Sequence, residues 1–214
     1  MNKKLPHIIL MTVLVLLSVG TAFGLRAWLH PPLKNAELLP EPKSLQGQNY
    51  RLDIDDHTVP LNIAIGHWVL LYFSYTTCSL SQEELQELGQ MMKQFDGTDS
   101  EYKPIVIFVS LDPEQDKQGK LDIFTQRFHP DLRGATGHND ELARLTNLFG
   151  VAYNRTTTDR DDKCLINHSS RIFILDSQLR YIGSFAPPYN ANTLYSDMQQ
   201  IILHAWRFHI QTTN

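Results

Sequence analysis

The pattern of hydrophobic and polar residues divides the chain into three regions. The first is an apolar run near the N-terminus. No ionised side chain occurs from Leu5 to Leu25, and Lys3 and Lys4 precede this run. About 20 apolar residues can cross the hydrocarbon core of a membrane as a helix, whereas the apolar part of a signal peptide holds about 7 to 15. The pattern predicts an uncleaved transmembrane helix. A cleaved signal is the alternative, because small residues lie near the end of the run.

The next region is polar and rich in proline, a composition that stays extended and does not pack a core. It predicts a stalk between the membrane and a folded domain. The expected organisation is an N-terminal cytoplasmic end and transmembrane anchor at 1–28, a stalk at 29–48, one domain at 49–208 and a tail at 209–214.

The third region alternates between strand-like and helix-like patterns. Short alternating segments on both sides of Asp55-Asp56-His57 predict a hairpin. The continuous apolar run from His67 to Ser74 predicts a central strand that is buried on both faces. Ser81 followed by Glu84 has the spacing of a capping box, which predicts that a helix begins there.

The same alternation continues to the end of the domain. It predicts a strand at 105–110, helices near 120–128 and 140–149, an antiparallel hairpin from strands 171–175 and 181–185, and a final helix at about 191–206. Parallel strands with crossover helices, followed by a hairpin and a helix, are typical of an α/β fold. The predicted fold is therefore a thioredoxin-like sandwich with one N-terminal transmembrane helix.

Charge indicates where this domain lies. The 19 Lys and Arg residues are outnumbered by 23 Asp and Glu residues, with no basic stripe, which excludes a nucleic-acid partner. Lys3 and Lys4 favour a cytoplasmic N-terminus by the positive-inside rule. The leader is too short and too poor in Arg and Ser for a mitochondrial transit peptide. We expect a single-pass protein of a bacterial inner membrane with its C-terminal domain in the periplasm.

The chain has two cysteines, Cys78 and Cys164, in a compartment where thiols oxidise unless they are protected. Cys78 falls between the predicted central strand and the N-terminus of the next helix. The dipole and the free N–H groups of a helix N-terminus stabilise a thiolate. Cys78 is therefore a candidate metal ligand or nucleophile, and the alternative is an inert buried cysteine.

Several segments together resemble one known family. The segment Leu70–Cys78 is similar to the strand and loop of Sco/SenC proteins, which ends in Tyr-Thr-x-Cys-Pro-x-x-Cys-Pro. Further similar segments follow in the same order, at Val109–Asp116, Phe128–Asp131, Thr136–Gly137 and His168–Asp176. The resemblance extends over residues 48–206 and implies the thioredoxin-like fold.

The resemblance also implies a copper site. In this family a Cys-x-x-x-Cys pair and a distant His bind copper, and the protein helps to deliver it to cytochrome c oxidase. Cys78 falls on the first family cysteine and His168 on the family histidine, but Gln82 occupies the position of the second cysteine. Copper(I) prefers thiolate and accepts imidazole, whereas an amide oxygen is a poor ligand for it.

Cys164, four residues before His168, is not part of that motif. One hypothesis is that Cys164 replaces the thiolate lost at Gln82, so that Cys78, Cys164 and His168 bind copper(I). The same proximity would permit a Cys78–Cys164 disulfide if the Cα atoms come within about 7 Å. The alternative is that Cys164 only packs in or near a strand.

Three functions remain open at this point. The first is a copper-binding assembly factor whose partner is a cytochrome c oxidase subunit or another copper or thiol-redox protein. The second is a thiol–disulfide oxidoreductase with Cys78 as its catalytic residue, although Gln82 cannot complete an intramolecular disulfide. The third is a docking module of the same fold with a decayed metal site.

Overall fold

The structure is a computed structural model that describes residues 11–21, 24, 32–99, 102–151, 154–155, 166–167 and 170–204. The chain divides into two units, Met1–Lys34 and Asn35–Asn214. In the first unit, residues 11–21 are helical. The predicted Leu5–Leu25 span lies partly outside the described residues. Within the described ranges, no helix combines the length and the apolar character that crossing a membrane requires.

The second unit contains ten strands, four α-helices and one short 3-10 helix, Leu61–Ala64, in its described part. The strands are β1 (Ala36–Ser44), β2 (Arg51–Ile54), β3 (His57–Pro60), β4 (Val69–Ser74), β5 (Ile105–Ser110), β6 (Arg133–Ala135), β7 (Asn154–Arg155), β8 (Ile166–Asn167), β9 (Ile172–Leu175) and β10 (Arg180–Phe185). The helices are α1 (Ser79–Gln94), α2 (Gln118–Thr125), α3 (Asn139–Phe149) and α4 (Ala191–Leu203). The predicted strands and helices of the domain are confirmed, with small shifts at their ends.

Six strands form the main sheet in the order β1-β10-β9-β4-β5-β6. Strands β4, β5 and β6 are parallel, whereas β9 is antiparallel to β4, β10 to β9 and β1 to β10. Every residue of β4 is buried, as its continuous apolar sequence predicts. The domain is therefore a mixed α/β sandwich built around β4, and the predicted fold class is confirmed for this part of the chain.

Successive residues of β4 point to opposite faces of the sheet and meet different helices. The ring of Tyr72 lies 6.0 Å from that of Phe108, which in turn lies 5.5 Å from Phe124 of α2. The ring of Phe73, on the other face, lies 5.6 Å from that of Phe149 in α3. These contacts place α2 and α3 on opposite sides of the sheet and pack both against β4.

The predicted hairpin of β2 and β3 is confirmed as a separate two-stranded sheet. Asp55 and Asp56 form its turn with φ of 50° and 61°. A two-residue turn with both φ positive matches the twist of a hairpin, and Asp is one of the residues that tolerates this conformation.

From Ala36 onward, the stretch predicted as an extended stalk is instead part of the folded domain. Ala36–Ser44 form β1, which pairs with β10, and Leu45 is buried in the core. The register of this pairing shifts between Leu38 and Lys43, where the sequence contains two prolines. Proline is tolerated at the edge of a sheet or at a bulge, so a proline-rich segment could still join the domain.

The predicted capping box at the start of α1 is wrong. Helix α1 begins at Ser79 with Cys78 as its N-cap residue, and no side chain makes a capping hydrogen bond. Ser81 instead bonds to Ser74, and Glu84 accepts a hydrogen bond from Tyr72. Because the helix starts before Ser81, both side chains turn toward the sheet instead of back to the helix end.

Candidate functional site

Cys78 lies where β4 passes into α1, as the sequence predicts. Its residue is fully buried, and its backbone N–H donates to the Tyr75 carbonyl over 3.2 Å. Its backbone is extended, with φ −77° and ψ 119°, so it forms the last residue before the helix. The sulfur atom therefore belongs to the residue that caps a 16-residue helix, next to N–H groups that favour negative charge.

Cys78 is disulfide-bonded, and none of the cysteines in the described part of the chain is free. The other cysteine of the sequence, Cys164, lies outside the described residues, as does His168. The predicted grouping of Cys78, Cys164 and His168 therefore stays a prediction. Within the described ranges, no three His, Cys, Asp or Glu side chains come together as a metal site.

Gln82, at the position of the second family cysteine, is exposed. The buried residue on this turn of α1 is Ser81, whose hydroxyl bonds to that of Ser74 on β4. Gln82 thus differs from a second thiolate ligand both in its amide chemistry and in its exposure to solvent.

A buried carboxylate, Asp116, fixes the loop that leads to Cys78. It accepts hydrogen bonds from the Thr76 N–H over 2.8 Å and from the Thr76 hydroxyl over 2.5 Å. It also accepts from the Ser110 hydroxyl over 2.7 Å and from the Lys120 ammonium over 2.9 Å. These bonds connect the Cys78 loop to the end of β5 and to α2.

The pKa of Asp116 reflects two opposing effects. Burial alone would raise it, but the hydrogen bonds from Thr76, Lys120 and Ser110 outweigh burial and hold the pKa below its usual value. The carboxylate is therefore ionised at neutral pH. Sequence reasoning missed Asp116, and the available signal was its place at the end of Leu111–Asp116, a loop that follows a strongly predicted strand.

A second set of bonds joins β4 directly to α1 on both sides of Cys78. The buried Tyr72 hydroxyl donates to the partly buried Glu84 carboxylate, and the Ser74–Ser81 pair lies one step nearer to the cysteine. Burial, together with the Glu84 charge, raises the pKa of Tyr72 well above its usual value. Burial also raises the pKa of Glu84.

Ser170, which follows His168 and Ser169 in the sequence, lies near Glu84 of α1. The Tyr189 hydroxyl donates to the Ser170 carbonyl and, over 3.4 Å, to the Phe185 carbonyl. The Ser170 side chain forms a hydrogen bond with Glu84 that partly offsets the raised pKa of that carboxyl. Ser170 is therefore the described residue nearest in sequence to His168 on this side, and His168 itself lies outside the described residues.

A buried cysteine at the N-cap of a helix, directly after the central strand of a mixed sheet, defines the class of thioredoxin-like domains. Within that class, the model of the SCO1/SenC family matches residues 40–203. The chain belongs to the SCO1/SenC family, which confirms the resemblance seen in the sequence segments.

Three known proteins show how far this similarity extends. The mitochondrial SCO2 homolog of Homo sapiens is 32% identical over 112 residues, which make up 52% of this chain and 42% of that protein. The chain thus spans less than half the length of this relative. Arabidopsis thaliana ScoI with copper bound superposes with a TM-score of 0.66 at 23% identity, over 72% of this chain and 96% of that one. Apo Sco1 from Thermus thermophilus superposes with a TM-score of 0.67 at 24% identity, over 78% of this chain and 95% of that one. These two structures support the fold.

Proposed function

We propose that this protein is a membrane-anchored copper-binding assembly factor that helps to metallate cytochrome c oxidase. The observation that carries the proposal is the position of Cys78, buried at the N-terminus of α1 in a SCO1/SenC domain. Sco proteins of Arabidopsis thaliana and yeast have been solved with copper bound, and a further relative is described as one of the cytochrome c oxidase assembly proteins. We further propose that residues 1–28 anchor the domain in a bacterial inner membrane, with the domain in the periplasm.

The residues present fit copper(I) if the second thiolate comes from Cys164. Copper(I) prefers soft thiolate ligands and accepts imidazole, which Cys78, Cys164 and His168 would supply. Gln82 is exposed and carries an amide, so it does not replace a thiolate. The disulfide-bonded state of Cys78 in a chain with two cysteines supports the proposed Cys78–Cys164 pair. Reduction of this disulfide by an external dithiol, which supplies two electrons and two protons, would release both ligands.

A copper(I) titration of the reduced domain tests the proposed ligands. The Cys78→Ser and Cys164→Ser variants should each bind copper(I) at least about 100-fold more weakly, since even outer-shell partners of a metal cost roughly 10 to 100-fold. Gln82→Ala is the matched control on α1 and should bind like the native protein. Native affinity in Cys164→Ser would show that Cys164 is not the replacement ligand.

The bonded state of Cys78 also favours a second function, that of a thiol–disulfide oxidoreductase. In this function the Cys78 thiolate attacks one sulfur of a partner disulfide, and the other partner sulfur leaves as a thiolate. The Cys164 thiolate then attacks Cys78 in the mixed disulfide, which forms the Cys78–Cys164 disulfide and releases the partner's second thiolate. Repeated turnover of a disulfide substrate with an external thiol reductant would support it. Stoichiometric copper(I) retention without such turnover would favour the assembly factor.

A further inference from the structure

Cys78 ends a tight turn, and a buried carboxylate from another part of the chain holds this turn. The turn runs from Tyr75 to Cys78, with Thr76 and Thr77 at its centre. It closes through the Cys78 N–H, which donates to the Tyr75 carbonyl over 3.2 Å. Because Cys78 is also the N-cap residue of α1, the turn sets where its sulfur atom lies relative to the helix.

Thr76, the first central residue of the turn, is held by both of its polar groups. Its N–H donates to Oδ2 of Asp116 over 2.8 Å, and its hydroxyl donates to Oδ1 over 2.5 Å. The backbone and the side chain of one residue therefore bind the two oxygens of one carboxylate. This pair of bonds fixes the position of Thr76 and the direction of the chain that reaches Cys78 two residues later.

Groups outside the turn hold the carboxylate in its place. Oδ2 of Asp116 also accepts from the Ser110 hydroxyl over 2.7 Å, and Oδ1 also accepts from the Lys120 ammonium over 2.9 Å. Ser110 is the last residue of β5 and pairs with Ser74 at the end of β4, whereas Lys120 belongs to α2. Each oxygen of Asp116 thus joins the turn to a regular element of the domain.

Asp116 lies in a costly place for a carboxylate. Its residue is only 1% exposed, and a buried charge loses hydration that hydrogen bonds must replace. Two of its four hydrogen bonds go to Thr76, and the other two go to different residues. The buried charge therefore acts mainly on the turn that carries Cys78.

We propose that Asp116 is a positioning residue for Cys78, which acts through Thr76 to hold the cysteine in the geometry that binds copper(I) and forms the disulfide. This inference rests on the proposed copper function, in which Cys78 is a ligand. A ligand that is already held in place loses less freedom on binding, so its affinity for the metal is higher. The same restraint favours closure of the Cys78 disulfide, because it raises the effective concentration of the thiol.

Two variants weaken the bonds to the turn, and a third is a matched control. In Asp116→Asn the amide offers one oxygen instead of two, so in either orientation it accepts only one of the two Thr76 bonds. Thr76→Val removes the hydroxyl bond and leaves the N–H bond, and it serves as the second variant if Asp116→Asn folds poorly. Thr146→Val is the control, because the buried Thr146 hydroxyl donates to the Leu142 carbonyl over 2.7 Å within α3.

The copper(I) affinity of the reduced full-length protein gives the first test. It should fall about tenfold in Asp116→Asn and in Thr76→Val, the factor for one lost hydrogen bond to a charged group, and stay native in Thr146→Val. Since both substitutions act on the same contact, the double variant should lose less than the product of the two single effects. Native affinity in both single variants, or an equal loss in the control, would overturn the inference.

The equilibrium of the Cys78 disulfide with a dithiol buffer separates failure of this inference from failure of the copper function. In the metal-free protein, the dithiol supplies the two electrons and two protons that reduction of the disulfide takes up. The equilibrium should shift about tenfold toward the reduced thiols in Asp116→Asn and Thr76→Val and stay native in Thr146→Val. If the native protein binds no copper(I), the proposed function fails, and this equilibrium still tests the positioning role. A native equilibrium in both variants would overturn that role, with or without copper binding.

Discussion

At the scale of single residues, Asp116 has the largest set of hydrogen bonds around the Cys78 loop. Asp116→Asn keeps the size of the side chain but cannot accept from Thr76, Ser110 and Lys120 together. We expect a loss of about 1.5 to 3 kcal/mol in the free energy of unfolding at pH 7, the range for hydrogen bonds to a charged group. Urea unfolding measures this. Asp56→Asn, at the exposed hairpin turn, is the control and should change little.

The stabilisation by Asp116 depends on pH in a definite direction. Its pKa is lowered in the folded protein, so its contribution is present above the unfolded value of about 3.9 and is lost as the pH falls through the folded value. The native protein and Asp116→Asn should therefore differ most at neutral pH and converge below about pH 4. An undiminished difference at pH 3 would contradict the role of the ionised carboxylate.

Residues near Cys78 also show what the sequence could and could not predict about the site. Cys78 was predictable because it follows a long apolar strand and precedes a helical pattern, both of which are local signals. The roles of Asp116 and Glu84 were harder to predict, because the sequence places Asp116 in a loop after a strand and Glu84 on a helix but does not show which distant hydroxyl groups surround them. Burial of a charge is decided by the packing of several elements, which only the fold reveals.

At the scale of elements, the close approach of α1 to the turn that follows α2 depends on Gly89. A Cβ atom at this position would lie 2.5 Å from the backbone oxygen of Phe128. Gly89→Ala should therefore destabilise the protein by about 1 to 3 kcal/mol, the usual cost of overpacking. Gly119, in α2, has open space around a Cβ and is the matched helical control.

Gly119→Ala should instead stabilise the protein by about 0.5 to 1 kcal/mol, since alanine loses less backbone entropy in a helix. Thermal unfolding of both variants checks the opposite signs. Equal destabilisation by the two substitutions would show that helix α1 does not pack as closely against Phe128 as described.

The strands show why local pattern predicts some elements and misses others. Strands β4, β5 and β9 have nearly continuous apolar sequences that identify them without knowledge of their partners, and β10 follows β9 across a short turn. Strand β6 has only three residues, and β1 contains prolines, so neither has a strong pattern of its own. Both are strands because they pair with a sheet built by distant residues.

At the scale of the whole molecule, β1 defines where the folded domain begins. A protein that starts at Leu33 retains β1 and the bonds from the Asn35 and Ala36 N–H groups to Asp197. A protein that starts at Gln46 lacks β1 and the buried Leu45. We expect the shorter protein to be less stable by at least about 3 kcal/mol, the typical cost of one deleted buried leucine side chain.

Chemical denaturation of the two soluble proteins measures this difference. Equal midpoints would mean that residues 36–45 are an appendage, as the proline-rich sequence suggests, and not a structural part of the sheet. The comparison also fixes the shortest protein that is suitable for the copper titrations.

The register shift in β1 has a consequence for how the protein behaves among copies of itself. An edge strand offers free backbone groups that can recruit another strand and start edge-to-edge aggregation. Strand β1 forms one edge of the sheet, and Pro40 and Pro42 fall within its irregular stretch, where they cannot donate hydrogen bonds. The opposite edge is the three-residue β6, which offers a short template. Neither edge of the sheet therefore offers a long, regular strand with which another chain could pair. The domain resists polymerisation by strand addition for this reason.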